Sequence, residues 1–463
     1  MPGPRSLLAR ALLGCAFVLA APRALAQDLP GAQDPTIEQR DPNEPPPLNS
    51  PSPPIQPRAP RPNAPPEQPS DDDVNIDYWT PRWDPAAFPL VGGNSDIGFQ
   101  FGGVGRITRF AYGAKPFVVR GDFLLTASVR DSGDKLALAQ QEYLFQLDIP
   151  NLFGGRVRTT PGLFFLNFVD AGYFGRGNDS HAQVPDVVDG DPNRYFQQRA
   201  RELRIRDFTR IKMFYPIDLM IAPVIRYHDH RAYAGSKLAQ DQAAGIVNGL
   251  RALWITSLAV GIVIDTRDNE FFPKRGMYHQ IGQRFEQGYP IGGDVQAGAT
   301  AAILAGYIHL GGPVVLAGRA VLDFLYGKVP LSDLYNAGPF NDWEMPGGAN
   351  GIRGIPWGRY SAPIKVITNI ELRALHTKFS LLNQKFRLGN QVFFDSGRVW
   401  DDYSFHSPRD GTGLGLKWGA GAGAYLMWGD GALFRAEIAY SPVAVETNPK
   451  FPLGVYLADS VMF

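Results

Sequence analysis

One cation stands in a stretch otherwise built for close packing, Gly347-Gly348-Ala349-Asn350-Gly351-Ile352-Arg353-Gly354-Ile355-Pro356-Trp357. Four glycines open the backbone to φ > 0 and close approach, while Ile352, Ile355 and Trp357 around Arg353 are side chains that avoid water. The irregular segment that holds it runs from about Lys328 to Tyr360. That is longer than the roughly 12–15 residues beyond which an unstructured connection is functional or disordered. Trp343, Met345, Pro346 and Trp357 argue for packing over disorder. An apolar-tipped loop with one guanidinium needs an enclosure, and the enclosure must supply a carboxylate.

Little else in the chain spells out a reaction. There is no Gly-x-Ser-x-Gly elbow, no phosphate-binding loop and no metal-spaced Cys/His set, so no enzyme activity, cofactor or resident metal is expected. His228-Asp229-His230 puts two imidazoles on one face of a strand, which could hold a metal, but its position near the outer end reads as a polar rim. Asp186, Asp189 and Asp191 around Gly190 read as solvated loop acids, with weak calcium binding as the alternative. Gly413-Leu414-Gly415 and Gly419-Ala420-Gly421 look like nucleotide-loop fragments but lie inside strand patterns, where packing or bending explains them. A formal net charge of +0 removes the case for nucleic-acid binding.

The elements around Arg353 alternate. Phe123, Leu125, Ala127 and Val129 share one parity while Asp122, Thr126 and Ser128 share the other, and the pattern recurs at Tyr143, Phe145, Leu147 and Ile149. The 51 glycines and 12% aromatic content fit a turn-rich all-β chain. Polar faces with charges of both signs, short turns alternating with long polar loops, and a final Phe463 favour a transmembrane antiparallel β-barrel with a wet lumen. Alternation gives about sixteen strands, with the first at 87–93, two long ones at 156–175 and 197–212, and the last at 453–463. Long connections near 176–196, 233–253, 328–362 and 399–412 then fall on one side. Lys365, Asn369, Glu371 and Arg373 face the lumen from one strand, and Phe393, Asp395 and Gly397 share the inward parity of the next. Glu371 and Asp395 are thus the expected partners of Arg353 for an extracellular loop folded into the barrel.

The N-terminal region reads as export machinery. Arg5 and Arg10, the apolar run Ala11 to Ala21 and Ala24-Leu25-Ala26 form a signal peptide over 1–26; Cys15 only weakly resembles a lipoprotein site. Residues 27–85 read as a disordered periplasmic linker, since nearly half the residues from Pro42 to Pro69 are proline. Tyr78, Trp79 and Trp83 mark an interfacial aromatic belt, and 86–463 is assigned to the barrel.

Four elements together resemble the superfamily of BamA- and TamA-type outer-membrane assembly barrels and two-partner-secretion transporters, also called the bacterial surface antigen type. They are Gly351-Ile352-Arg353-Gly354-Ile355, the turn Asp265-Thr266-Arg267-Asp268 with Pro273 and Gly276, the strand Phe393-x-Asp395-x-Gly397, and the inward Glu371. The resemblance implies that Arg353 reaches into the lumen and pairs with Glu371 and Asp395. It further implies location in the outer membrane of a Gram-negative bacterium, among its lipids, and assistance in inserting or translocating proteins or lipids. Partners would be client outer-membrane or secreted proteins and an accessory periplasmic protein. Two departures qualify it: residues 27–83 are too short and proline-rich to fold the POTRA modules of assembly members, and Asp459 and Val461 replace the expected residues of the last strand. The alternative is an orphan pore or structural barrel, its ion preference set by Arg204, Arg206 and Arg210.

Overall fold

The computed structural model describes residues 77–463 apart from 95–97, 132–135, 292, 341–345, 382–383, 430–431, 448, 450 and 459. The signal peptide, most of the expected linker, Trp343, Met345 and Asp459 therefore lie outside the described residues. The alternating sequence folds into one antiparallel sheet of eighteen segments. In chain order these are β1 (Arg82–Asn94), β2 (Gly98–Phe110), β3 (Val119–Asp131), β4 (Leu136–Leu152), β5 (Val157–Thr159), β6 (Gly162–Gly172), β7 (Gln197–Arg206), β8 (Thr209–Phe214) and β9 (Ile217–Ala232). There follow β10 (Ala252–Asp265), β11 (Gly276–Tyr289), β12 (Gln296–Gly311), β13 (Val314–Lys328), β14 (Ile364–Leu381), β15 (Gln384–Trp400), β16 (Lys417–Trp428), β17 (Ala432–Tyr440) and β18 (Leu453–Ala458). The stretch 301–325 is thus two strands and a turn.

Eighteen segments make sixteen staves. β4 pairs with both β5 and β6, and β9 with both β7 and β8, so each short segment continues its neighbour across a break. The break has a chemical cause. Pro161 offers no N–H to a ladder, and the Asp207 carboxylate enters the gap opposite, accepting from Thr159 Oγ1 (2.7 Å), Thr160 N (3.1 Å) and Thr209 Oγ1 (2.6 Å).

Burial follows parity and decides which face meets lipid. On β14, Glu371 is fully buried while its neighbour Ile370 is 55% exposed; on β15, Asp395 is fully buried while Phe394 is 48% exposed. A continuous belt of outward apolar side chains around a polar interior is the reverse of a water-soluble sandwich, and it makes this a transmembrane barrel.

Both ends of the wall differ from expectation. β1 begins at Arg82, ahead of the expected 87 and inside the segment assigned to linker, because it pairs with β2 over the whole span from Arg82 to Asn94. β18 stops at Ala458, short of the expected 463. The chain then turns inward: Phe463 lies under the Arg319 guanidinium at 5.2 Å, and Met462 is buried. Gly413 to Gly415 precede β16 as loop, so only Gly419 to Gly421 lie in a strand. Ladders link the staves in succession from β1 to β18, and among the described residues none joins β18 to β1. β1 instead packs by side chains on the two strands before β18, Phe88 standing edge-on to Phe434 of β17 (4.2 Å) and Trp428 of β16 (5.3 Å).

The lumen is packed. Its short-turn end is filled by Phe110, Phe117, Phe271, Phe272, Tyr307 and Tyr425. At the long-loop end, connections tie one another down: Arg176 bonds to Ile246 O (2.7 Å) and Asp401 (2.7 Å), and Arg359 to Ser180 O (2.7 Å) and Glu446 (3.1 Å).

Candidate functional site

The segment between β13 and β14 enters the barrel, and Arg353 is where it stops. The side chain is fully buried. Nε and Nη2 grip Asp395 on both carboxylate oxygens (2.8 and 2.9 Å), and Nη1 reaches Glu371 (2.8 Å) and Glu437 (2.6 Å). The backbone N–H of Arg353 donates to Asp395 as well (3.0 Å), so the loop is held by main chain and side chain together. The guanidinium also lies 3.4 Å above the Phe393 ring, which explains why Phe393 and Asp395 are needed two apart on one face. Burial opposes the Arg353 charge, but the hydrogen bonds to Asp395 and the charges of Glu371, Asp395 and Glu437 outweigh it and hold its pKa above the ordinary range.

Arg373 lies 3.6 Å from Glu371 and Arg435 3.1 Å from Glu437, so three carboxylates face three guanidiniums. Asn369 donates to Asp395 (2.8 Å) and to Gly351 O (2.8 Å), while Arg319 holds Asn369 and Asn350 O. Gln391 donates to Glu437 and accepts from Tyr425. Glu437, Arg435 and Gln391 escaped the sequence reading, although Glu437 had a signal: its neighbour Ile438 is apolar and outward, so its own parity is inward.

The motif glycines and isoleucines fit the same joint. Gly354 sits at φ +93°, and a Cβ there would meet Tyr440 C at 2.8 Å. A Cβ on Gly397 would come within 2.9 Å of Ile352 Cδ1. Ile352 and Ile355 are fully buried with Val321, Tyr360, Ile367 and Val399. The second motif forms the turn between β10 and β11. Arg267 grips Asp265 with two bonds (3.0 and 2.9 Å) and lies over Tyr278, and Asp268 accepts from Lys274 N (2.9 Å) and Arg275 N (3.2 Å). Gly276 closes it at φ +98°. Pro273 O accepts from Arg373 Nη2 (3.1 Å), which connects this turn to the lock.

Two further attachments position the loop. At its start, Asp333 bonds to Arg226 (2.9 Å) and Arg284 (3.1 Å) on the wall; burial opposes the Asp333 charge, but these two cations hold its carboxyl well below the usual range. At the motif itself, Gly354 N donates to the Tyr456 hydroxyl on β18 (2.8 Å).

The remaining candidates resolve differently. His228 and His230 are not an exposed rim: both are fully buried and face Glu202 of β7. Arg204 pairs with Glu202 (2.8 Å), Arg210 with Asp218 (2.7 Å), and Arg206 donates to Gln146 (3.1 Å). Asp191 accepts from Asn193 N at 3.0 Å at the head of a short helix; Asp186 and Asp189 are exposed.

A transmembrane antiparallel barrel whose longest loop is pinned into its lumen by one arginine and three carboxylates is the class that this geometry defines. Residues 224–451 match the Omp85 superfamily domain. The fold is similar to that of CdiB from Escherichia coli, at 14% identity over 83% of this chain and 63% of that one, with a TM-score of 0.50. It also resembles BamA from Haemophilus ducreyi lacking POTRA domains 1-3, at 13% identity over 82% of this chain and 70% of that one, with a TM-score of 0.47. The chain spans less than two thirds of the CdiB chain. No curated protein sequence matches it.

Proposed function

We propose that this chain is an outer-membrane barrel that assists the insertion or translocation of proteins at that membrane, its long loops extracellular and its short turns periplasmic. The observation that carries the reading is the bond from Gly354 of the locked loop to Tyr456 of β18. It couples the lumenal lock to the strand at the end of the wall, beside a junction that side chains hold. An edge strand held by side chains can be exchanged for a client strand by β-augmentation, and a lock bonded to that edge can set how readily it opens. An accessory periplasmic protein would deliver clients.

Two experiments test this. Depleting the protein in its own host and quantifying outer-membrane and secreted proteins should reveal clients that fall while their transcripts hold steady; an unchanged profile removes the reading. Phe88→Cys with Phe434→Cys, joined by a cleavable thiol crosslinker, should block client assembly and restore it on cleavage, whereas assembly that continues with the junction closed contradicts an opening seam. The orphan-pore reading needs an open polar path, and the pairing of Arg204, Arg206 and Arg210 with the packed floor weighs against it.

A further inference from the structure

The outward face of β7 and β9 changes character abruptly toward the long loops. One row across neighbouring strands is aromatic and apolar: Tyr143 pairs with Phe165, Phe165 with Leu203, Leu203 with Tyr227, and Tyr227 with Trp254. Tyr143 stacks on Phe165 at 5.7 Å and Tyr227 stands edge-on to Trp254 at 5.4 Å, an aromatic girdle of the kind that marks a membrane boundary. The next outward row is polar, Gln141, Asn167, Arg201 and Asp229, and beyond it Arg199 stands directly opposite Arg231. Their neighbours Ala200, Glu202 and His230 are buried on the inward face, so these side chains leave the barrel.

Three guanidiniums share this patch with one carboxylate, and Asp229 is taken by Arg231 at 2.8 Å. Arg201 reaches Asn167 Oδ1 at 3.4 Å, and among the described residues Arg199 has no carboxylate partner. Like charges directly opposite in a ladder repel, and arginine on the lipid side of a barrel wall is costly except near the interface. An anion beside the girdle removes both costs, and the anion at that level is a lipid headgroup phosphate. Planar guanidiniums grip phosphate oxygens with paired bonds. The amides alongside suit a sugar: Asn167 Nδ2 donates to Gln141 Oε1 (3.0 Å) and Gln141 Nε2 to the Tyr143 hydroxyl (3.0 Å), a polar strip that continues from Arg201. We propose that Arg199, Arg201 and Arg231 bind the phosphate of a phosphorylated glycolipid in the outer leaflet, with Gln141 and Asn167 against its sugar. The site rests on the proposed placement of the long loops outside the cell.

The test uses the full mature chain folded in detergent, titrated with lipopolysaccharide that keeps its lipid A phosphates and followed by native mass spectrometry. Wild type should bind it more tightly than the dephosphorylated form and than phosphatidylglycerol, a comparison that needs no variant. Arg199→Gln with Arg201→Gln should weaken binding by about 30-fold at unchanged folded gel mobility, and Arg275→Gln, in the turn at the opposite end, should leave it unchanged. Equal affinity of the double variant, of the dephosphorylated lipid or of phosphatidylglycerol would overturn the proposal. Full displacement by inorganic phosphate at equal concentration would reduce the patch to an ion site and overturn it as well. Val187, 89% exposed in the connection before β7, checks the orientation: Val187→Cys should react with a membrane-impermeant maleimide on intact cells. Failure to react would overturn the orientation together with this site, whereas labelled cells and no lipid selectivity would overturn this site alone.

Discussion

Arg353 is held by geometry that no other residue type supplies. Its planar fork meets Asp395 on two bonds while the remaining nitrogen reaches Glu371 and Glu437, and its flat face lies on Phe393. Arg353→Ala leaves three buried carboxylates short of a cation, so it should destabilise the folded barrel by about 3–5 kcal/mol. Melting monitored by heat-modified gel mobility in detergent reads this directly, and Arg353→Lys should recover only a fraction, since an ammonium cannot grip Asp395 with two parallel bonds. Unchanged mobility for Arg353→Ala would remove the lock. Gly397→Ala tests packing in place of charge. Its methyl would press on Val366 O at 2.6 Å and Ile352 Cδ1 at 2.9 Å, costing about 1–3 kcal/mol in the same assay.

At the scale of elements, a single carboxylate interrupts two staves. Asp207 takes three hydrogen bonds that a continuous ladder would not need, and Asp207→Ala would leave Thr160 N without its side-chain acceptor at the break. Faster amide exchange at Thr160, whose N–H then keeps only Phe208 O (3.0 Å), with a loss of about 1–3 kcal/mol, is expected; unchanged protection there would show that the break is held by Pro161 alone. The interruption escaped the alternation pattern because parity continues across it. Strand existence and facing were legible from period 2, and the lumenal set Lys365, Asn369, Glu371 and Arg373 came out as expected. Strand ends were not legible, since β1 owes its early start to β2, and the last residues owe their inward turn to Arg319 and Arg373.

For the whole molecule, stability rests on charge pairs that tie turns to walls. In the turn between β10 and β11, burial pushes the Glu270 carboxyl up, yet the charges of Arg158 and Arg267 outweigh it and hold it down at about 2. A depressed carboxyl stabilises the fold fully above its ordinary value of 4.5 and loses that contribution as pH falls toward about 2. Below about pH 5 the melting temperature of the wild type should therefore fall more steeply than that of Glu270→Gln. An equal acid slope in that variant would place the sensitivity elsewhere.

The sequence by itself determined the barrel, its facing and half of the lock, because a side-chain period of two and a glycine-rich loop carrying one arginine are local properties of the chain. Only the tertiary structure decided that Glu437 completes the lock from a strand remote in sequence, that Tyr456 ties the loop to the end of the wall, and that Glu202 stands opposite two histidines. Those pairings depend on which residues the register brings face to face across the lumen and between neighbouring staves, and register is a property of the closed sheet.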